Sequence, residues 1–83
     1  MDINSIIVRD FTATSQGIVK VGIQLILEQE WGVGKEQLAR SILQLSKGSL
    51  PKFTNLMAMI DPRDVLMLAQ EEPEEIRNRY GQI

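Results

Sequence analysis

The chain has 83 residues, of which 43% are hydrophobic and 24% are charged, and its net charge is −2 at pH 7. A chain of this length forms one domain with a thin core, and this composition is typical of a folded globular protein. Because it contains no cysteine and no histidine, disulfides, thiol nucleophiles, zinc–thiolate sites and histidine general bases are excluded.

The first eleven residues allow two interpretations. The run Ile6-Ile7-Val8 is β-branched and fits a strand, whereas Asn4 or Ser5 could cap a short helix. A single strand would have no partner in this chain, so we predict a short helix or an extended N-terminal arm. We find neither a signal-peptide pattern nor the ~20 consecutive apolar residues of a membrane span. We therefore expect a cytoplasmic protein that does not contact a membrane.

A long helix is predicted over residues 14–31, and it is apolar over an unusually wide arc. At about 100° per residue its apolar side chains spread over roughly 240°, while Lys20, Gln24 and Glu28 form one narrow polar stripe. Such a helix has to be covered on several sides, by the rest of the chain, by a second copy or by another protein. We expect it at the centre of the fold. Its two internal glycines either permit close backbone approach or weaken the helix.

The second half of the chain predicts shorter helices with clear ends. Residues 35–47 carry one apolar stripe, and the polar side chains of Arg40, Ser41 and Gln44 are expected to face water. The boundaries that follow are marked by Gly48, Ser49, Asp61-Pro62 and Pro73.

Two patterns suggest functional sites, a phosphate-binding loop and a group of carboxylates, but neither has the residue spacing that such a site needs. Gly32-Val33-Gly34-Lys35 lacks the earlier glycine, the following Ser or Thr and the preceding strand of a phosphate-binding loop. The acidic residues at 61, 64 and 71–75 lie near helix starts, where carboxylates are favoured. We therefore predict no enzyme activity, no catalytic residues, no metal site and no cofactor.

Residues 35–60 suggest an alternative, a DNA-binding regulator with a helix-turn-helix-like unit. The segment carries four basic residues against one acidic residue, and a short turn joins its two helices. The candidate nucleic-acid contacts are Arg40, Lys47, Lys52 and Asn55. Because the whole chain is acidic and this unit offers few side chains to read bases, nucleic acid is the disfavoured partner.

Methionines give a second indication of a partner surface. Methionine is common both in cores and on adaptable binding surfaces, and two methionines of the later helices fall outside the main apolar faces. Together with the apolar surface left over on the long helix, they form the predicted partner interface, which consists of Val19, Ile23, Ile26, Met59 and Met67.

Part of the chain resembles small uncharacterised bacterial proteins. The motifs are an apolar helix that contains Ala39-Arg40, the Gly-x-Leu turn Gly48-Ser49-Leu50, and the helix start Asp61-Pro62-Arg63-Asp64-Val65-Leu66. The resemblance implies a bacterial or phage-like helical module and brings no activity with it.

The sequence therefore predicts one all-α domain over residues 1–83, a compact bundle of four to five helices around a central apolar helix. We expect a small non-enzymatic interaction or regulatory protein. It would act through self-association, as a homodimer, or by binding a helix of a small protein partner.

Overall fold

Six helices joined by short connections make up the chain in a computed structural model that describes residues 1–82. The helices are α1 Ile3–Asp10, α2 Ala13–Leu27, α3 Lys35–Ser46, α4 Leu50–Ala58, α5 Pro62–Gln70 and α6 Glu74–Arg79. The predicted all-α class is confirmed, since residues 1–82 contain no strand. The helix beyond the predicted four or five is the N-terminal segment, which is therefore a helix and not an extended arm.

Helix α1 begins earlier than predicted because Asp2 is its N-cap. The Asp2 carboxylate accepts a hydrogen bond of 2.7 Å from the backbone N–H of Ser5, which satisfies one of the free donors of the first turn. Ile6, Ile7 and the following Phe11 are buried. The segment is thus part of the core.

Helix α2 is shorter than predicted, because it ends at Leu27 and not at Trp31. Trp31 lies beyond the helix and folds back onto it, and its indole N–H donates to the Ile26 carbonyl at 2.9 Å. A side-chain donor thereby satisfies one of the last carbonyls of the helix, which have no partner within it.

The most central helix is α3, so the prediction that the long apolar helix would be central is wrong. Helix α3 packs against α1, α2, α4 and α5, whereas α2 packs only against α1, α3 and α4. Seven of the twelve α3 residues are buried, compared with four of the fifteen in α2. The wide apolar arc of α2 is therefore only partly covered within one chain.

Polar side chains of α3 are buried where the sequence predicted contact with water. Ser41 and Gln44 are fully buried, as is Ser46. The two serine hydroxyls donate to backbone carbonyls one turn earlier, and the Gln44 amide donates to the Ala69 carbonyl at 2.8 Å. These bonds remove the penalty for burying polar groups.

The predicted starts of α4 and α5 are confirmed. The Ser49 side chain accepts from the N–H of Lys52 at 3.3 Å, and Asp61 accepts from the backbone N–H groups of Arg63 and Asp64. The turn before α4 requires glycine, since Gly48 has φ +78° and a Cβ there would lie 2.5 Å from the Asp10 carbonyl oxygen.

The core is a single apolar cluster whose fully packed members come from α1 to α5, while Ile76 of α6 packs against its edge. Tyr80, which follows α6, joins it. Its buried members include Ile6, Ile26, Ile42, Phe53 and Val65. Among the helices of residues 1–82, none combines the length and the apolar character needed to cross a membrane.

Candidate interaction surface

The exposed face of α2 carries three large apolar side chains that nothing in residues 1–82 covers. Ile18 is 54% exposed, Val21 63% and Leu25 49%. They lie at i, i+3 and i+7, so they form one row along the helix. We call this row the α2 stripe. The buried face of α2 is anchored in the core, so the stripe is displayed on a rigid element.

Three of the five predicted interface residues are in the core and not on the surface. Val19 and Ile26 are fully buried, and Ile23 is 3% exposed. They lie on the buried face of α2, which is distinct from the α2 stripe, and α1 and α3 pack against α2. Assigning them to a partner interface was therefore wrong, because the sequence shows that α2 is apolar on several sides but not which side the chain itself covers.

The other two predicted interface residues are exposed, but on a different part of the surface. Met59 is 84% exposed at the end of α4, and Met67 is 53% exposed on α5. Met59 lies on the rim of an apolar groove of about 390 Å³. This groove, which we call the α4–α5 groove, is lined by Leu45, Lys52, Asn55, Leu56, Met59 and Leu68.

Helix α4 separates the two apolar surfaces. Phe53 packs against Gly22 of α2, where an added Cβ would lie 2.9 Å from the ring atom Cζ, and Met57 approaches the same point. Leu56 and Met59 face the α4–α5 groove instead. A change in one surface therefore leaves the other in place, which makes the two useful as matched controls.

A row of polar side chains borders the α2 stripe. Lys20, Gln24 and Glu28 are all exposed and follow one another at i, i+4 and i+8. Within residues 1–82 neither Lys20 nor Glu28 forms an ion pair, and Gln24 makes only a long bond of 3.4 Å to Glu28. This charged edge is therefore free to meet a partner.

The four candidate nucleic-acid contacts do not form one basic surface. Arg40 is held within the protein, since it donates to the Met1 and Tyr80 carbonyls and forms an ion pair with Glu36. Lys47 forms an ion pair with Glu72. Lys52 and Asn55 line the α4–α5 groove. Two of the three cations are thus already paired with carboxylates of the same chain, so no observation favours the DNA-binding alternative.

Charged and aromatic side chains join the two ends of the chain. The Tyr80 hydroxyl donates to Asp10 at 2.6 Å, and the Arg9 guanidinium lies 4.9 Å from the centre of the Tyr80 ring. Arg9 also donates to the Arg79 carbonyl at 2.8 Å. We call this set of four residues the terminal cluster.

The terminal cluster shifts two pKa values in opposite directions. Burial and the hydrogen bond to Asp10 raise the pKa of Tyr80 to about 12. Burial also acts to raise the pKa of Asp10, but hydrogen bonds from Arg9 and Tyr80 outweigh it, so that this pKa lies below its ordinary value. Both shifts favour the pairing of a neutral phenol with a carboxylate, which is a structural role.

The acidic residues near the starts of the later helices also have structural roles. Asp61 caps α5. Glu72 accepts from Gln44 at 2.7 Å and pairs with Lys47, and these contacts hold its pKa below the ordinary value against the opposing effect of burial. Among residues 1–82, no three acidic side chains are grouped so that they could hold a metal ion.

Comparisons of the chain with protein-family models, with curated proteins and with solved structures gave no match.

Proposed function

We propose that this protein is a non-enzymatic interaction protein that self-associates through the α2 stripe. The observation that carries the proposal is the row formed by Ile18, Val21 and Leu25, half exposed on a helix whose other face is buried. Apolar rows of this kind on a rigid helix are typical of helix-mediated interfaces.

The expected strength of association follows from the exposed surface. Full burial of a Val, Leu or Ile side chain contributes about 1.5–3 kcal/mol, so a side chain that is already half buried contributes about 1 kcal/mol. A symmetric pair buries six such side chains, for a gross gain of about 6 kcal/mol. Association itself costs about 4 kcal/mol or more. We therefore expect a weak dimer that forms only at high protein concentration.

The chemistry of the chain supports a binding role over catalysis. Cysteine and histidine are absent from the sequence. The partly buried carboxylates are both engaged: Asp10 pairs with Arg9 and accepts from the Tyr80 hydroxyl, and Glu72 pairs with Lys47.

Sedimentation equilibrium from about 0.1 mM to about 5 mM tests this proposal, because a net gain of about 2 kcal/mol corresponds to a Kd of tens of millimolar and populates the dimer only at the upper end of that range. The average mass of the wild-type protein should rise by roughly a fifth above that of the chain at the highest concentration. Val21→Asp places a charge in the α2 stripe and should keep the protein monomeric with unchanged helical circular dichroism.

Met59→Asp is the matched control, because it makes the same kind of change at an exposed apolar side chain on the other side of α4. It should leave the mass curve unchanged. A wild-type protein that stays monomeric at every concentration refutes self-association. A dimer that Met59→Asp disrupts and Val21→Asp does not would place the interface in the α4–α5 groove.

A further inference from the structure

The charged edge of α2 has an order that suits only one kind of partner helix. Lys20 stands at one end of the edge and Glu28 at the other, about 12 Å apart along the helix axis, with Gln24 midway between them. Neither charge has an ion partner within residues 1–82. The edge therefore presents a positive end, a neutral centre and a negative end.

A two-fold axis at Gln24 makes this edge complementary to itself. When two identical helices pack antiparallel, the same edge of one helix faces that edge of the other. A residue a given number of positions before the axis in one copy then lies level with the residue that number of positions after the axis in the other copy. Lys20 and Glu28 are both four residues from Gln24. Each Lys20 would thus lie level with Glu28 of the other copy, while the two Gln24 amides meet at the axis.

The same axis also pairs two residues of the apolar row. Val21 and Leu25 lie on either side of Gln24, so Val21 of each copy comes to within two residues, or about 3 Å along the axis, of the level of Leu25 in the other. Contact between Val21 and Leu25 is therefore compatible with the register that pairs the charges, whereas Ile18 lies level with residue 30, beyond the end of α2. In a parallel two-fold pair the same edge of each helix would lie on opposite sides of the contact, so Lys20 and Glu28 of one copy would face neither of these charges in the other.

We infer that the partner of the α2 stripe is a second copy of this chain, packed antiparallel about Gln24 with Lys20 of each copy beside Glu28 of the other. This inference rests on the proposed self-association and adds the identity, orientation and register of the partner. The order of the charges along the edge supports this inference, since Lys20 and Glu28 of the two copies face each other only when the partner helix runs in the opposite direction.

Charge reversal tests the inference by sedimentation equilibrium. Lys20→Glu turns two attractive pairs of the dimer into two repulsive ones and should weaken association roughly tenfold at low salt. Glu28→Lys should do the same. The double variant Lys20→Glu/Glu28→Lys exchanges the two signs and should return to within about threefold of the wild type. Lys52→Glu changes the net charge as Lys20→Glu does, but it lies in the α4–α5 groove and should have no effect.

Each pattern of results leads to a separate conclusion. A loss in both single variants that is restored in the double variant supports the antiparallel pair. If the wild type associates and Lys20→Glu, like the control Lys52→Glu, does not weaken association, the antiparallel orientation is refuted while self-association stands. Loss without restoration in the double variant also refutes it. A wild type that never associates refutes the proposed function itself.

Discussion

Replacing each of the two glycines of α2 with alanine should stabilise the protein at one position and not at the other. Alanine is favoured over glycine inside a helix by about 1 kcal/mol. At Gly17 a Cβ would have no heavy atom within 4 Å outside the helix backbone, so Gly17→Ala should gain this amount in full. For a domain of this size the gain corresponds to a rise in Tm of about 4–8 °C.

At Gly22 the added Cβ would lie 2.9 and 3.0 Å from two atoms of the Phe53 ring. The ring cannot move freely, because it is 2% exposed and packs edge-on against Phe11 at 6.0 Å. Overpacking of this kind costs about 1–3 kcal/mol, which cancels or exceeds the gain in helix propensity.

We therefore expect Gly22→Ala to be less stable than Gly17→Ala by about 1–3 kcal/mol. Urea unfolding followed by circular dichroism, at a protein concentration too low for association, measures the difference directly. The comparison is matched, because the same substitution is made twice in one helix. Equal stabilisation by both variants would refute the packing of α4 against α2 described above.

The remaining predictions concern the two chain ends. Arg40→Ala removes a charged donor that bonds the Met1 carbonyl at 2.9 Å and the Tyr80 carbonyl at 3.0 Å, so the free energy of unfolding should fall by about 2 kcal/mol. A loss below about 0.5 kcal/mol in urea unfolding would contradict this role. Tyr80 has its folded-state pKa raised to about 12 from the ordinary 10.0, so its contribution is complete below pH 10 and is lost as the pH rises toward 12. Wild-type stability should therefore fall more steeply than that of Tyr80→Phe between pH 10 and pH 12, whereas parallel curves would show that the phenol pKa is not raised.

The parts of the fold that the sequence predicts well depend on short stretches of chain. Asp61 caps α5 and Ser49 caps α4 as predicted, because a cap involves only the next two or three residues. The ion pair between Glu36 and Arg40, at 3.2 Å, is local in the same way, since residues four apart share a helix face. Local patterns of this kind also account for the all-α class.

The parts that the sequence predicts poorly depend on how helices are arranged in space. Val19 and Val21 are both apolar residues of one helix, yet Val19 is fully buried and Val21 is 63% exposed. Only the positions of α1, α3 and α4 around α2 decide which of them is covered, and periodicity over a 240° arc carries no such information. The burial of Gln44 likewise depends on a carbonyl 25 residues away in α5.

The end of α2 shows how a tertiary contact can override a local signal. The sequence pattern predicts one long helix that continues to Trp31. In the structure the Trp31 indole N–H donates to the Ile26 carbonyl, and this hydrogen bond takes the place of the backbone hydrogen bonds of a further helical turn. No short sequence pattern predicts that contact. A side chain with a donor a few residues beyond an apolar helix is the only sign the sequence offers.

Methyl NMR spectra of the wild-type protein across a dilution series test the central claim most directly, because they locate the interface without any substitution. Concentration-dependent chemical-shift changes should be confined to the methyl groups of the α2 stripe, Ile18, Val21 and Leu25. The Met59 methyl in the α4–α5 groove should not shift. Spectra that are identical at all concentrations, or shifts at Met59 in place of Val21, would contradict the claim that the α2 stripe is where this protein meets its partner.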